Sequence, residues 1–374
     1  MKYYIIAGEA SGDLHGSNLI KELITLDSTA SIRCWGGELM SNAGATLIKH
    51  YRDLAFMGFA EVIKNLPTIL KNFSFCKKDI EQFQPDVLIL IDYPGFNLRM
   101  AKWAKNAGFK VIYYISPQIW AWKENRVHDI KKYVDKMLVI LPFEKSFYKK
   151  WNFEVDYVGH PLVEIVDEYK KSTVNKLNPW GNNNIIALLP GSRKQEILKK
   201  LPIMMEVAER MPNYTFIVAK APGLDDEFYD SILRNYSNVK TIANKTYELL
   251  SFASVALVTS GTATLETALF DVPEIICYKG SSLSYQIAKR LISIKYICLV
   301  NLIMDKEVVK ELIQDDLNVQ NLLHEIQLLL KDDNKISSIK KDYSDLKNKL
   351  TEGGSASKNA AKIIHDFMLP PLSA

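Results

Sequence analysis

The chain has 374 residues, of which 48% are hydrophobic and 24% are charged, and its formal net charge is +4. This length can bury two ordinary cores, so two domains are expected, and the modest positive charge suits an anionic substrate or membrane surface better than nucleic acid. The four cysteines are widely spaced without a CxxC pair, which disfavours a zinc knuckle or a disulfide framework. The N-terminus reads as a first strand and no apolar run approaches a membrane span, so we expect a cytoplasmic protein.

Short apolar, β-branched runs alternate with helical segments along the whole chain. Such runs are typical of strands buried on both faces of a parallel sheet. In the first half they cover residues 3–7, 86–91, 111–115 and 137–141, and in the second half residues 185–189, 215–219, 255–258 and 274–278. A helix is predicted over residues 97–107, closed by Gly108. The pattern predicts an α/β protein of two Rossmann-like, doubly wound parallel-sheet domains, joined near residues 160–182 and facing across a cleft.

The first predicted strand is followed by GEASGDLHG, residues 8–16. Its glycines permit a tight turn, Ser11 or Asp13 is expected to cap the next helix, and Glu9 lies at the strand end. Glu9 is either a site carboxylate or a solvated turn residue. The segment does not match GxGxxG, and GxxxxGK[ST] is absent from the sequence, so a nicotinamide dehydrogenase or a P-loop ATPase is disfavoured.

Asp92 follows an apolar run and precedes Pro94 and Gly95 in IDYPGFN. A carboxylate held at a strand end and partly desolvated is a plausible general base. The alternative is that Asp92 caps a helix beginning near Asn97. Downstream, Trp120 and Trp122 are interpreted as structural residues, because aromatic pairs more often belong to a core than to a ligand platform.

Two strand-turn-helix segments of the second half have the form of phosphate seats. In LLPGSRKQEI the turn holds Gly191, Ser192 and Arg193, and the guanidinium of Arg193 could pair with a diphosphate. The second turn and its helix contribute Ser260, Gly261, Thr262, Ala263, Thr264 and Glu266. Glu266 could reach the hydroxyls of a ribose attached to that phosphate. The alternatives are a surface Arg193, Thr262 as a simple N-cap and Glu266 on a solvated face.

Residues 56–76 carry apolar side chains at helical spacing with lysines nearby. The apolar positions are Phe59, Val62, Ile63, Leu66, Ile69, Leu70 and Phe73, and the lysines are Lys64, Lys71, Lys77 and Lys78. This stripe is either a lipid-contacting surface whose lysines complement anionic headgroups or part of the core. Pro67 makes a single long helix over the stripe doubtful.

The order and spacing of nine segments resemble the lipid-A-disaccharide synthase family. The segments are GEASGDLHG, MGFAEVI, IDYPGFN, SPQIWAW, LPFEKSFY, VGHPL, LLPGSRKQEI, SGTATLETAL and VNLI. The resemblance implies a GT-B glycosyltransferase that needs no metal or cofactor and joins UDP-2,3-diacylglucosamine to 2,3-diacylglucosamine 1-phosphate. Such an enzyme forms the β-1,6-linked lipid A disaccharide and releases UDP, and the UDP-sugar is a substrate rather than a cofactor. The resemblance marks Asp92 as the base, Glu9, Arg193 and Asn301 as residues needed for activity, and SGTATLE as the UDP site.

The resemblance also sets expectations for organisation and partners. Residues 1–165 would bind the lipid acceptor, residues 166–345 would bind the UDP-sugar, and the helical tail of residues 346–374 could cross back to the first domain. The protein is expected to bind the cytoplasmic surface of the inner membrane peripherally, as a monomer or a domain-exchanged homodimer, and not to bind nucleic acid. The alternatives are another UDP-hexosamine GT-B transferase, a sugar-nucleotide 2-epimerase, and a noncatalytic nucleotide-sugar binding protein in which Asp92 would be dispensable.

Overall fold

A computed structural model describes residues 1–54, 66–174, 176–181, 184–221, 223–280 and 295–369. The chain divides into two units: unit 1 comprises Met1–Pro161 and Thr351–Ala374, and unit 2 comprises Leu162–Leu350. The sequence-based boundaries were residues 165 and 345, and the tail after Leu350 lies in unit 1.

Unit 1 is built on one parallel sheet. Its strands are β1 Lys2–Ala7, β2 Ser31–Gly36, β3 Thr46–His50, β4 Val87–Ile91, β5 Lys110–Tyr114, β6 Lys136–Val139 and β7 Asp156–Tyr157. Its helices are α1 Ala10–Leu26, α2 Glu38–Asn42, α3 Leu66–Phe83, α4 Pro94–Asn106, α5 Ile119–Trp122, α6 Val127–Tyr133, α7 Glu144–Lys149 and, from the tail, α16 Ala356–Met368. In the described part of the unit the strand order is β3-β2-β1-β4-β5-β6-β7. The order reverses between β1 and β4, where doubly wound sheets bind ligands.

Unit 2 repeats this architecture. Its helices are α8 Pro161–Ser172, α9 Lys194–Glu209, α10 Asp226–Leu233, α11 Thr246–Leu250, α12 Thr262–Leu269, α13 Leu299–Met304, α14 Val319–Lys331 and α15 Asp333–Thr351. Its strands are β8 Ile185–Leu189, β9 Thr215–Lys220, β10 Val239–Ala243, β11 Val255–Val258, β12 Glu274–Tyr278 and β13 Lys310–Ile313. Within the described residues they are ordered β10-β9-β8-β11-β12-β13, all parallel, so the order reverses between β8 and β11.

The tail completes the core of unit 1. Ala356, Ala360, Ala361 and Ile364 of α16 are fully buried with the inward side chains of β1 and the apolar face of α1. Their spacing of four, one and three residues places them on one helix face. The small alanines allow the backbones of α1 and α16 to approach closely, so the tail helix belongs to the packed core of this unit.

The predicted cap of α1 is wrong. Glu9 occupies the N-cap position of α1, and no side chain caps that helix. Instead the buried carboxylate of Asp13 accepts hydrogen bonds from the backbone N–H groups of Gly37 at 2.7 Å, Met40 at 3.1 Å and Leu39 at 3.2 Å. A Cβ at Gly37 would lie 2.5 Å from the Asp13 carboxylate, so only glycine fits there. Asp13 therefore caps α2 from a neighbouring helix.

Removing this carboxylate should destabilise unit 1. We expect Asp13→Ala to lower the free energy of unfolding by about 2–4 kcal/mol, because three N–H groups lose a charged acceptor and the hydrogen bonds from Gly37 and Met40 are buried. Urea unfolding followed by circular dichroism measures the change. The matched control is Asp53→Ala, which removes a 57% exposed carboxylate 3.4 Å from Lys49 and should cost less than about 0.5 kcal/mol. Equal effects of the two substitutions would contradict the capping role.

The apolar stripe of residues 56–76 lies partly outside the described residues, including Phe59, Val62 and Ile63. Helix α3 carries Pro67 in its first turn, where proline is tolerated. Phe73 is half-buried and stacks on the buried Phe96 with ring centroids 4.2 Å apart, so it packs against the core, whereas Leu70 is 59% exposed. The described half of the stripe is thus divided between core and surface. Among the described helices, none combines the length and hydropathy of a bilayer span.

Candidate active site

Unit 2 has a cavity of about 440 Å³ at the carboxyl ends of β8 and β11. Both predicted phosphate-seat turns line it. The predicted residues among its walls are Gly191, Ser192, Arg193, Ser260, Gly261, Thr262, Ala263 and Glu266, and further wall residues include Glu196, Lys220 and Thr246. Since β8 and β11 are parallel neighbours at the reversal of strand order, the fold itself brings the two turns together.

Each turn depends on a glycine in the left-handed region. Gly191 has φ +117°, and a Cβ there would lie 2.9 Å from the Glu196 carboxylate, while Gly261 has φ +132°. In the described structure, the backbone N–H groups of Ser192 and Arg193 before α9, and of Ser260 and Gly261 before α12, donate no hydrogen bond. Unpaired N–H groups at a helix start attract an anion through their partial positive charge. Two such groups of donors on one cavity suit a diphosphate.

Arg193 stands at the N-cap of α9 on the cavity wall. Its side chain is 69% exposed, and its guanidinium lies 3.2 Å from the Glu196 carboxylate one turn along the helix. An exposed ion pair at this spacing contributes only about 0.3–0.5 kcal/mol to stability. The guanidinium can therefore exchange the Glu196 carboxylate for a doubly charged phosphate. Glu196 was not identified from the sequence.

A buried lysine lies beneath the two turns and was also missed. Lys200 of α9 is 2% exposed and donates a hydrogen bond to the Thr259 hydroxyl, which donates to the Pro190 carbonyl at 3.2 Å. Burial lowers the pKa of Lys200, and the charge of Glu196 opposes that shift. This chain of hydrogen bonds ties the end of β8 to the end of β11 and adds positive potential behind the cavity.

Glu266 lines the cavity and is not on a solvated face. Its carboxylate accepts a hydrogen bond from the Tyr247 hydroxyl at 2.9 Å, and burial raises its pKa. The N-cap of α12 is Gly261, so Thr262 is not the cap that the alternative interpretation requires. Both structural alternatives for this turn are therefore wrong.

Two predicted binding residues are not on the cavity wall. Thr264 is fully buried, and its hydroxyl donates to the Gly261 carbonyl at 2.8 Å, so it supports the turn from behind. Asn301 is also fully buried; its amide donates to the Val309 carbonyl and accepts from the Val308 and Val309 N–H groups. The side chain of Asn301 therefore holds the loop before β13 in place. It does not bring its side chain to the other predicted residues.

In unit 1, Asp92 follows β4 in an unusual backbone conformation. Asp92 has φ +44° and Tyr93 has φ +50°, a left-handed pair of non-glycine residues, which costs energy and is typical of functional sites. The carbonyl of Asp92 accepts from the Tyr113 hydroxyl at 2.5 Å and from the Asn97 amide at 2.8 Å. Helix α4 begins at Pro94 with Tyr93 as its N-cap and no side-chain cap, so Asp92 is not a capping residue.

Glu9 and Asp92 form an acidic edge of unit 1. They follow the adjacent parallel strands β1 and β4, in which Ala7 pairs with Ile91. Burial raises the pKa of Asp92 to about 6, and the negative charge of Glu9 contributes to that rise. A carboxylate with a pKa near 6 is ionised at neutral pH and is a stronger base than an ordinary aspartate.

The two Rossmann-like units with parallel sheets define the GT-B class of fold. Two solved structures share this fold, each with a TM-score of 0.69 and 14% identity. They are the UDP-GlcNAc 2-epimerase of Neisseria meningitidis bound to UDP-GlcNAc, covering 98% of this chain and 99% of that one, and the glycotransferase of kitacinnamycin, covering 99% of both. This likeness shows the fold alone.

Sequence comparison identifies the family within that class. The family model described as lipid-A-disaccharide synthetase matches residues 3–365. The lipid-A-disaccharide synthase of Geobacter metallireducens is 38% identical over 368 residues, which is 96% of each chain. The chain belongs to the lipid-A-disaccharide synthase family, and it is a glycosyltransferase. The family resemblance and the prediction of two Rossmann-like, parallel-sheet domains are both confirmed.

Proposed function

We propose that the chain transfers 2,3-diacylglucosamine from UDP to the 6-hydroxyl of 2,3-diacylglucosamine 1-phosphate. Asp92 takes the hydroxyl proton as the oxygen attacks the anomeric carbon of the donor. The bond from that carbon to the β-phosphate oxygen breaks, and UDP leaves with the electron pair. Attack from the face opposite UDP inverts the anomeric centre and gives the β-1,6 disaccharide.

The cavity of unit 2 carries this proposal. Its unpaired N–H groups and Arg193 would hold the diphosphate and stabilise the charge that develops on departing UDP, and Glu266 would accept hydrogen bonds from the ribose. Lys220, also on the wall, is paired with the exposed carboxylate of Asp226 and is a second cation that a diphosphate could attract. We propose that these cations supply the charge stabilisation for which other transferases use a divalent metal.

The test is a direct product assay. Purified protein is incubated in detergent with both acylated monosaccharides and EDTA, and lipids are analysed by mass spectrometry. Formation of the disaccharide 1-phosphate supports the proposal. A parallel incubation with UDP-GlcNAc, followed by NMR, tests the alternative sugar-nucleotide 2-epimerase. Epimerised product without disaccharide would overturn the transferase, and activity that requires added Mg²⁺ would overturn the metal-free chemistry.

The pH dependence should report the acidic edge. We expect kcat/KM to fall about tenfold per pH unit below pH 6, because Asp92 with a pKa of about 6 cannot accept a proton once it is protonated. Glu9→Gln removes a charge that raises this pKa, so its acid limb should move to lower pH by up to about one unit. A limb that stays in place in Glu9→Gln would show that another group sets the profile.

We also propose peripheral binding to the cytoplasmic surface of the inner membrane. The acylated substrates reside in a bilayer, and α3 exposes Leu70 and Phe75, which are 59% and 47% accessible, near the exposed Lys71 and Lys78. Apolar side chains flanked by cations suit a surface of anionic lipids.

A further inference from the structure

The segment after β5 contains two tryptophans with opposite environments. Trp120 is 8% exposed, and its indole N–H donates to the buried Glu144 carboxylate at 3.2 Å. Trp122 is 55% exposed. The interpretation of both as structural is therefore right for Trp120 and wrong for Trp122. An exposed indole ring can hold neighbouring cations against its face.

Two cations are ordered by the exposed Trp122 ring. The Nζ atom of Lys123 lies 4.2 Å from the ring centroid, and the guanidinium carbon of Arg126 lies 5.6 Å from it. In the described part of the chain, neither cation has a carboxylate within 4.0 Å. Cation–π contact restrains both side chains without neutralising them, so they remain available to an anion.

This cationic group lies at the same sheet edge as the acidic edge. Strands β4 and β5 are parallel neighbours, so the segment after β5 starts beside Asp92. The hydroxyl of Tyr113, which donates to the Asp92 carbonyl, is affected by the charges of the Asp92 carboxylate and the Arg126 guanidinium. Burial raises its pKa well above the usual value, the Asp92 carboxylate adds to the rise, and the Arg126 guanidinium opposes it. The Asp92 carboxylate and the Arg126 guanidinium thus both act on Tyr113, and no salt bridge joins the two.

We infer that Lys123 and Arg126, ordered by Trp122, bind the phosphate monoester of the acceptor. The inference rests on the proposed function. In that acceptor the phosphate on C1 and the reacting 6-hydroxyl, which extends from C5, are carried by the two carbons that flank the ring oxygen, so they are neighbouring but separate groups. A base and a nearby but separate cationic group match this arrangement. Donor and acceptor are both acylated glucosamines that differ at C1, so a site for a monophosphate also selects which of them occupies unit 1.

The experiment compares two acceptors. Wild type, Arg126→Gln and the double variant Lys123→Gln/Arg126→Gln are assayed with 2,3-diacylglucosamine 1-phosphate and with its dephosphorylated counterpart. We expect the KM for the phosphorylated acceptor to rise about tenfold in the single variant and about fiftyfold or more in the double variant. The KM for the dephosphorylated acceptor should stay within about twofold, and Arg126→Lys should recover part of the loss.

The matched control is Lys132→Gln. Lys132 is also an exposed cation over an aromatic ring, 5.2 Å from the centroid of Tyr133. It precedes β6, however, and so lies toward the amino ends of the strands, away from Asp92. Its KM values should match those of wild type. An unchanged KM in the double variant, or an equal rise for both acceptors, would overturn the phosphate site alone. Absence of disaccharide from the wild type with either acceptor would overturn the proposed function and the phosphate site with it.

Discussion

Asp92→Asn is expected to lower kcat by about 10²–10⁴-fold while the affinity for UDP stays within about twofold of wild type. The substitution keeps the size of the side chain but removes the group that accepts the acceptor's proton. The conformation at Asp92 should persist, because it is held by its own backbone groups: the N–H donates to the Tyr114 carbonyl at 3.1 Å, and the carbonyl accepts from Tyr113 and Asn97. Single-turnover kinetics and calorimetric titration with UDP measure the two quantities.

A carboxylate at the other end of β4 provides the control. The side chain of Asp86 accepts from the Lys2 N–H at 2.7 Å, and Asp86→Asn preserves an acceptor there. Its kcat should be unchanged. Turnover retained in Asp92→Asn would remove the assignment of the base.

Arg193→Gln should produce the second large effect, a fall in kcat of about 10²–10³-fold with a smaller loss of UDP affinity, about tenfold. The guanidinium is proposed to bind UDP most strongly as negative charge develops on it, so its loss raises the barrier more than it weakens ground-state binding. Arg193→Lys should recover only part of the rate, because an ammonium group cannot form the two parallel hydrogen bonds of the guanidinium fork.

The control for this substitution is Arg210→Gln. Arg210 is an exposed arginine at the opposite end of α9 and should tolerate the change without effect on kcat. A proportional rise in KM without loss of kcat in Arg193→Gln would show that Arg193 binds the donor uniformly and contributes nothing specific to the transition state.

The strands that could be predicted from the sequence are the buried central ones. β1, β4, β8 and β11 are continuous apolar runs with every residue but Lys2 buried, which gives a strong signal in a single sequence. The strands that were missed are shorter or more polar, such as β3 with TLIKH and β10 with VKTIA, which lie at sheet edges and are partly exposed. Edge strands have one hydrogen-bonded neighbour and half the burial, so their composition resembles that of loops.

The candidate site could be predicted where it depends on turns that follow buried strands. The turns at Gly191 and Gly261 can be recognised because each glycine follows a buried strand and precedes a helix. The strand order brings both turns to one cavity. Lys200 was missed because it belongs to a helix. Its signal is present nonetheless: Lys200 follows Ile197 by three residues and precedes Leu201 and Met204, all buried, so it is a lysine on an apolar helix face. A lysine at such a position means either that the helix face is wrongly predicted to be buried or that the lysine has a function.

Tertiary contacts decided the roles of Asp13, Thr264 and Asn301. Asp13 caps a helix that begins 25 residues later, and the side-chain amide of Asn301 hydrogen-bonds the backbone of the loop before β13. Local sequence cannot distinguish a polar side chain that supports a loop from one that touches a ligand, because the same residue types serve both tasks.

The most direct test of the account is the crystal structure of the chain with UDP. We expect the diphosphate at the N–H groups of residues 192–193 and 260–261, within reach of the Arg193 guanidinium, and the ribose hydroxyls at Glu266. A UDP molecule bound in unit 1 at the turn of residues 8–13, with the cavity of unit 2 empty, would contradict it.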